Sequence, residues 1–235
     1  MFGLNNLINV FLEPRDIFTI LSKRNNWKDS ILPFIITAIV GIASMAVLEE
    51  LLTEVQIQQT EKYIMGNSQI PDDQKEDILT ESLKSITHPS SSMKLIGYAS
   101  SALSTPFRIL MMSLMIMLIG NFFFGGKTTY GNILVMTSYT YLIAVLESLV
   151  KVPLMVSQWR VDIHTGLGLL GLGEEGSFLF NFMSGMDLFA FWRVIVLAIG
   201  MSVLYRREVK PFLIALVIYW IFQITFFSFI GSLIT

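Results

Sequence analysis

The sequence predicts an all-α integral membrane protein: a bundle of five transmembrane helices with an N-terminal interfacial helix and a helical outer loop. Three observations predict it. Of the 235 residues, 53% are hydrophobic and only 14% are charged, where soluble domains average about a quarter charged; a soluble fold this apolar could not cover its own surface. The mean hydropathy is +0.63. Five apolar runs, each near the roughly 20 residues that a helix needs to cross a bilayer, recur from residue 30 onward. They lack the period-2 alternation of a membrane barrel. In lipid, helices satisfy every backbone group within their own segment.

Residues 1–29 read as a cytoplasmic interfacial segment. Phe11, Leu12, Ile17, Phe18, Ile20 and Leu21, with Pro14 suited to a first helical turn, fit a short amphipathic helix. Such a helix lies in the inner interface or packs on the bundle. Trp27 marks the headgroup level, and Lys23 and Arg24 are expected to draw the segment to anionic lipid.

Residues 30–235 read as the membrane domain, with spans at about 30–48, 103–124, 132–150, 188–205 and 212–233. The first is uncharged, with Pro33 in its first turn, where a missing N–H costs little. The second contains Pro106 and Arg108, the third Glu147 and the fourth Arg193; the fifth is uncharged. Outer loops occupy 49–102 and 151–187. In the first loop, residues 49–65 are rich in helix formers and continue the first span. Pro71-Asp72-Asp73 then opens a second helical stretch running to about Ile86, its acids at the N-terminal end. This charge run reads as a solvated helical cap.

Orientation follows from Lys and Arg. With the N-terminus inside, the inner segments 1–29, 125–131 and 206–211 hold eight of these residues in 42, and the outer loops hold six in 91. The density is about threefold higher inside, as the positive-inside rule requires. Five spans then leave the C-terminus outside.

The search for chemistry returns little. No cysteine is present, which excludes disulfides, thiol catalysis and thiolate metal sites. A net charge of −2 suggests no nucleic-acid partner. Gly166-Leu167-Gly168-Leu169-Leu170-Gly171 matches a dinucleotide fingerprint by letter, but the motif requires a preceding strand and a following helix. Here it falls in a loop between spans, and is expected to dip into the outer interface or pack on the helices. His88 and His164 lie in separate loops without metal-ligand spacing. No catalytic residue, metal or cofactor is therefore expected, and the chain reads as non-enzymatic. The sharper signal is a candidate intramembrane polar network of Arg108, Glu147 and Arg193, with Asp187 at the mouth of the fourth span. All lie within roughly 8 Å of the outer boundary by helical rise. Ionisable groups at such depth mark functional sites by default; the competing reading is a structural ion-pair network, with Lys151 as a further partner for Glu147.

The order of features resembles the Yip family, membrane proteins named for interacting with Ypt/Rab GTPases, and especially its prokaryotic branch. Phe11-Leu12-Glu13-Pro14, followed by Phe18 and Trp27, is similar to that branch's approach to the first span. Gly125-Gly126-Lys127-Thr128-Thr129-Tyr130 looks like its turn between spans two and three, with Tyr139 and Tyr141 following. Asp187-Leu188-Phe189-Ala190-Phe191-Trp192, then Leu197-Ala198-Ile199-Gly200, looks like its fourth span. The resemblance implies a five-helix domain with a cytosolic N-terminus, integral to a prokaryotic cytoplasmic (inner) membrane. The Rab-binding role of eukaryotic members does not carry over, because their long cytosolic tail is here about 29 residues and lacks the Asp-Leu-Tyr-Gly-Pro element. Two functions remain: a scaffold or adaptor organising partner proteins or membrane lipid, and a small-solute or ion permease using the outer charged cluster. No internal repeat of the kind many transporters carry is visible.

Overall fold

The computed structural model describes residues 4–174 and 176–234. Ten α-helices follow one another: α1 (Leu4–Leu12), α2 (Pro14–Arg24), α3 (Ile31–Gly66), α4 (Asp72–Thr87), α5 (Ser91–Met117), α6 (Tyr130–Thr140), α7 (Leu142–Gln158), α8 (Phe178–Gly185), α9 (Leu188–Tyr205) and α10 (Val209–Ile234). A π-helical turn, Leu118–Phe123, prolongs α5, and 3-10 turns occupy Trp27–Ser30 and Leu167–Leu170. Five stretches are long and apolar enough to cross a membrane: Trp27–Gly66, Ser91–Phe123, Tyr130–Gln158, Leu188–Tyr205 and Val209–Leu233. The protein is an all-α membrane bundle, and no strand occurs among the described residues.

The chain divides into two compact units. The first comprises residues up to Thr37, Thr105–Glu147 and His164 onward; the second comprises Ala38–Ser104 and Ser148–Ile163. At the centre of the first unit stands α6, buried on every side from Ile133 to Thr140. A helix with no solvated face needs its hydroxyls satisfied locally. Ser138 donates to the Val135 carbonyl at 2.8 Å and Thr140 to that of Met136 at 3.0 Å, whereas the equally buried Thr137 hydroxyl has no hydrogen-bond partner among the described residues. Helices α2 and α9 pack on α6. Helix α2 contributes Ile17, Phe18 and Leu21, all buried, from positions that share one helical face. Of the two readings for the N-terminal segment, packing on the bundle describes this apolar face, while Ile20 stays half exposed. Arg24 is held in a two-point ion pair with Asp29, at 2.8 and 3.3 Å.

The second unit is organised by antiparallel contact between α3 and α5. The Ser101 hydroxyl donates to the Gly41 carbonyl at 2.7 Å. Eight residues on along α3, Glu49 accepts from the Tyr98 hydroxyl at 2.8 Å and from Lys94 Nζ at 3.1 Å. Gly41 is where the backbones come closest: a Cβ there would lie 2.5 Å from the Ser101 carbonyl oxygen. Trp159 Nε1, just past α7, donates to Glu54 at 2.6 Å.

Helices and apolar runs differ in extent at four places. Helix α5 begins at Ser91 rather than near 103. Gly97, Ser100, Ser101 and Ser104 depress the hydropathy there, yet small residues are what lets two membrane helices approach. Helix α7 runs to Gln158 rather than 150, passing through Pro153. The third apolar run is two helices, broken at Tyr141, where the Ala144 N–H bonds the Tyr141 carbonyl at 2.9 Å. Helix α8 falls in what reads as loop: its eight residues are too short to span, and it is started by Ser177, whose hydroxyl accepts from the Phe180 N–H at 3.2 Å.

Candidate functional site

Arg108, Glu147 and Arg193 converge on one cavity of about 760 Å³ within the first unit, lined by α5, Tyr141, α7, α8, α9 and α10. Arg193, one turn into α9, donates through Nη1 to Glu147 Oε2 at 2.5 Å, each side chain 21% exposed. Its guanidinium lies 5.9 Å from the centre of the Tyr141 ring, within cation–π range. The helix break at Tyr141 places that ring at the junction of α6 and α7. Arg108, on α5, lines the same cavity; among the described residues its side chain makes no ion pair or hydrogen bond. Two guanidiniums and one carboxylate therefore face the space, an excess of one positive charge. The amides of Asn181 and Gln223 add polar groups to the wall.

Polarity is graded along the cavity. Past Arg108 on α5 come Met111, Met112 and Met115; past Arg193 on α9 comes Leu197; Leu216 faces in from α10. One to two turns of each helix separate charge from apolar lining. The methionines supply flexible, polarisable surface that adapts to irregular ligands.

Asp187 is placed elsewhere. It caps α9, accepting from the N–H groups of Phe189 at 2.8 Å and Ala190 at 3.2 Å, and it also accepts from the Thr165 hydroxyl. It is not part of the cavity wall. Helix α5 begins at Ser91, so Arg108 is its eighteenth residue. Sequence reasoning named Tyr141 only within the family resemblance and missed Asn181 and Gln223. A glutamine in an otherwise apolar fifth span was the visible signal for Gln223; Asn181 sits on the unforeseen α8.

The other motif residues hold the bundle together. Pro14 opens α2 directly after Glu13. The Phe11 and Trp192 rings lie 6.0 Å apart, and Phe189 packs against the core. Gly200 sits where α9 meets Phe18 and Met136. Tyr139 is the largest fully buried side chain. In the 125–130 turn, Gly125 has φ +62°, a left-handed conformation that favours glycine. The Gly126 N–H then bonds back to the Gly120 carbonyl at 3.0 Å. Asn121 binds both backbone groups of Thr128, at 3.0 and 3.2 Å, and accepts from the Tyr205 hydroxyl at 3.0 Å, tying the end of α9 to this turn.

Among the described residues no cluster could hold a metal ion. The 167–170 turn is joined to the start of α9 by backbone bonds, Leu167 N–H to Met186 O at 3.0 Å and Leu188 N–H to Thr165 O at 3.3 Å; these bonds tie the glycine run to the start of α9, while Leu169 and Leu170 stay exposed. No curated protein and no solved structure matches the chain. The Yip1 domain profile, however, matches residues 8–231, which takes in the α1–α2 approach, the Gly125 turn and all five candidate spans, and the chain belongs to the Yip1 domain family.

Proposed function

We propose that the protein is a non-enzymatic membrane scaffold that organises lipid, its cavity holding one anionic phospholipid. The observation that carries this reading is the graded wall. An unpaired Arg108 beside the Arg193–Glu147 pair suits a phosphate-bearing headgroup, and the methionine and leucine lining suits an acyl chain. The volume, about 760 Å³, lies in the range of small-molecule sites. Burying such a headgroup satisfies the cation of this cavity that has no side-chain partner among the described residues.

The chain purified in mild detergent is expected to retain phosphatidylglycerol, detected by native mass spectrometry. Arg108→Gln should weaken that retention about fivefold, the effect of one surface-level cation. Equal retention by Arg108→Gln would remove the cavity as the lipid site. The position of Glu147 on the wall also favours a second reading, a permease. In that case liposomes containing the protein would conduct protons or a small solute, and Glu147→Gln would abolish the flux.

The Lys and Arg distribution supports an inner N-terminus and an outer C-terminus, and likeness to the prokaryotic branch supports a prokaryotic cytoplasmic membrane. A membrane-associated protein partner is compatible with the scaffold; a Rab-type GTPase is not proposed. Cysteines are easily placed in this cysteine-free chain. Ile70→Cys and Leu170→Cys should react with an impermeant thiol reagent in intact cells and Glu208→Cys should not; labelling at 208 overturns the orientation.

A further inference from the structure

At the other end of α9 from the cavity lies a second hollow, of about 750 Å³, formed by α2 and the turn between α9 and α10. Four cations line it: Arg15 and Lys23 from α2, Arg206 and Arg207 from the turn. Two carboxylates, Asp16 and Glu208, face them. All four cations are exposed, and none of their side chains makes an ion pair or hydrogen bond among the described residues. The α2 residues Arg15, Thr19, Ser22 and Lys23 follow a spacing that places them on one stripe, roughly opposite the face that buries Ile17, Phe18 and Leu21. Packing of α2 on α9 is therefore what brings its cations to Arg206 and Arg207, nearly 200 residues away in sequence. The hydroxyls of Thr19, Ser22 and Ser202 also line the hollow; each donates to a backbone carbonyl, leaving oxygen lone pairs but no free proton.

A smaller hollow adjoins this one. Arg15 and Asp16 line both; Leu12, Pro14, Ile199 and Val209 supply apolar wall to the second, and Glu13 stands at its side. Leu12 is 75% exposed. A concentration of unpaired cations next to an exposed apolar trough fits a ligand that is anionic at one end and hydrocarbon at the other.

We propose that the cleft between α2 and the α9–α10 turn is a specific site for the phosphate headgroup of an anionic phospholipid, with Arg15, Lys23, Arg206 and Arg207 as its ligands and the Leu12–Val209 trough taking an acyl chain. A soluble phosphate would use the same cations and have no need of the trough. The site is separate from the cavity at Arg193, and stands whether or not that cavity holds lipid.

The test uses the full chain carrying Arg108→Gln, so that the cavity contributes little. In non-ionic detergent it is titrated with phosphatidylglycerol or phosphatidylcholine, and bound lipid is counted by native mass spectrometry. Phosphatidylglycerol is expected to bind in preference. Adding Arg15→Gln and Lys23→Gln should lower its affinity about 30-fold, the product of two surface cations at the usual strength, without changing phosphatidylcholine binding. A matched pair, Lys62→Gln with Lys84→Gln, removes the same charge from α3 and α4 and should leave binding intact. Should the α2 variant unfold, Arg206→Gln with Arg207→Gln asks the same question from the other wall. Equal losses in the α2 and matched pairs would reduce the effect to net charge and overturn the site. Displacement of the lipid by equimolar glycerol phosphate, which has no acyl chain, would assign the cleft to a soluble phosphate and overturn the lipid assignment.

Discussion

Glu147→Gln is expected to destabilise the folded bundle by about 2–3 kcal/mol, somewhat below the roughly 3–5 kcal/mol of a sealed ion pair that loses one member. The reduction reflects geometry, since both side chains keep 21% exposure at the cavity. Glutamine preserves shape and one acceptor oxygen, so the loss isolates the charge. Without the carboxylate, Arg193 retains the Tyr141 ring as its neighbour, which offsets only a fraction of its desolvation. Unfolding of the purified protein in mixed micelles measures the effect, and a double-mutant cycle assigns it. Glu147→Gln with Arg193→Gln should show a coupling of about 1–3 kcal/mol, while Glu147→Gln with Arg108→Gln should be additive within about 0.5 kcal/mol. Additivity in the first pair would mean that the contact between α7 and α9 does not stabilise the fold.

Gly41→Leu is expected to cost about 3 kcal/mol, at the upper end for inserting bulk into a packed site. The obstacle for a new side chain is backbone, the Ser101 carbonyl 2.5 Å from where Cβ would be, so α3 and α5 must separate rather than a rotamer turn aside. Separation also breaks the Ser101–Gly41 hydrogen bond, and Ser101→Ala, which removes only that bond, should cost about 0.6 kcal/mol by comparison with other membrane helices. Gly66 ends the same helix with nothing within 4 Å of its Cβ position. Gly66→Ala should therefore be neutral within about 0.5 kcal/mol. If Gly41→Leu were as benign as Gly66→Ala, the close approach of the two helices would not contribute to stability.

These two sites also illustrate what the sequence makes legible. Long apolar runs announce membrane helices because bilayer thickness and backbone hydrogen bonding leave few alternatives, so five spans and the helical continuation of the first into residues 49–65 could be read directly. Charges inside such runs are conspicuous, and Glu147, Arg193 and Arg108 do line one cavity. What hydropathy misreads is the small polar residue. Ser101 and Gly97 resemble loop, yet they are the contact surface of α5. Asp187 resembles a member of the charged cluster because depth along a helix says nothing about azimuth or capping; its carboxylate is taken by the first N–H groups of α9. Likewise, α2 and the α9–α10 turn each look like ordinary positive-inside charge, and only the packing of Phe18 against α9 unites them into a cleft.

Helix α9 is stopped at both ends. Asp187 caps its first turn, and Arg206, with φ +51°, ends it in a left-handed residue whose N–H bonds back to Val203. Its 18 residues measure about 27 Å by helical rise, slightly short of a typical 30 Å hydrocarbon core. Helices α3, α5 and α7 extend past their apolar runs, which leaves room for sliding or tilting; α9 has polar stops that resist being drawn into hydrocarbon. In a thick bilayer the mismatch must be met by lipid deformation around α9 or by oligomerisation that covers it, at a fraction of a kcal/mol per ångström. Its capped length thus acts as a ruler, favouring thinner regions of membrane.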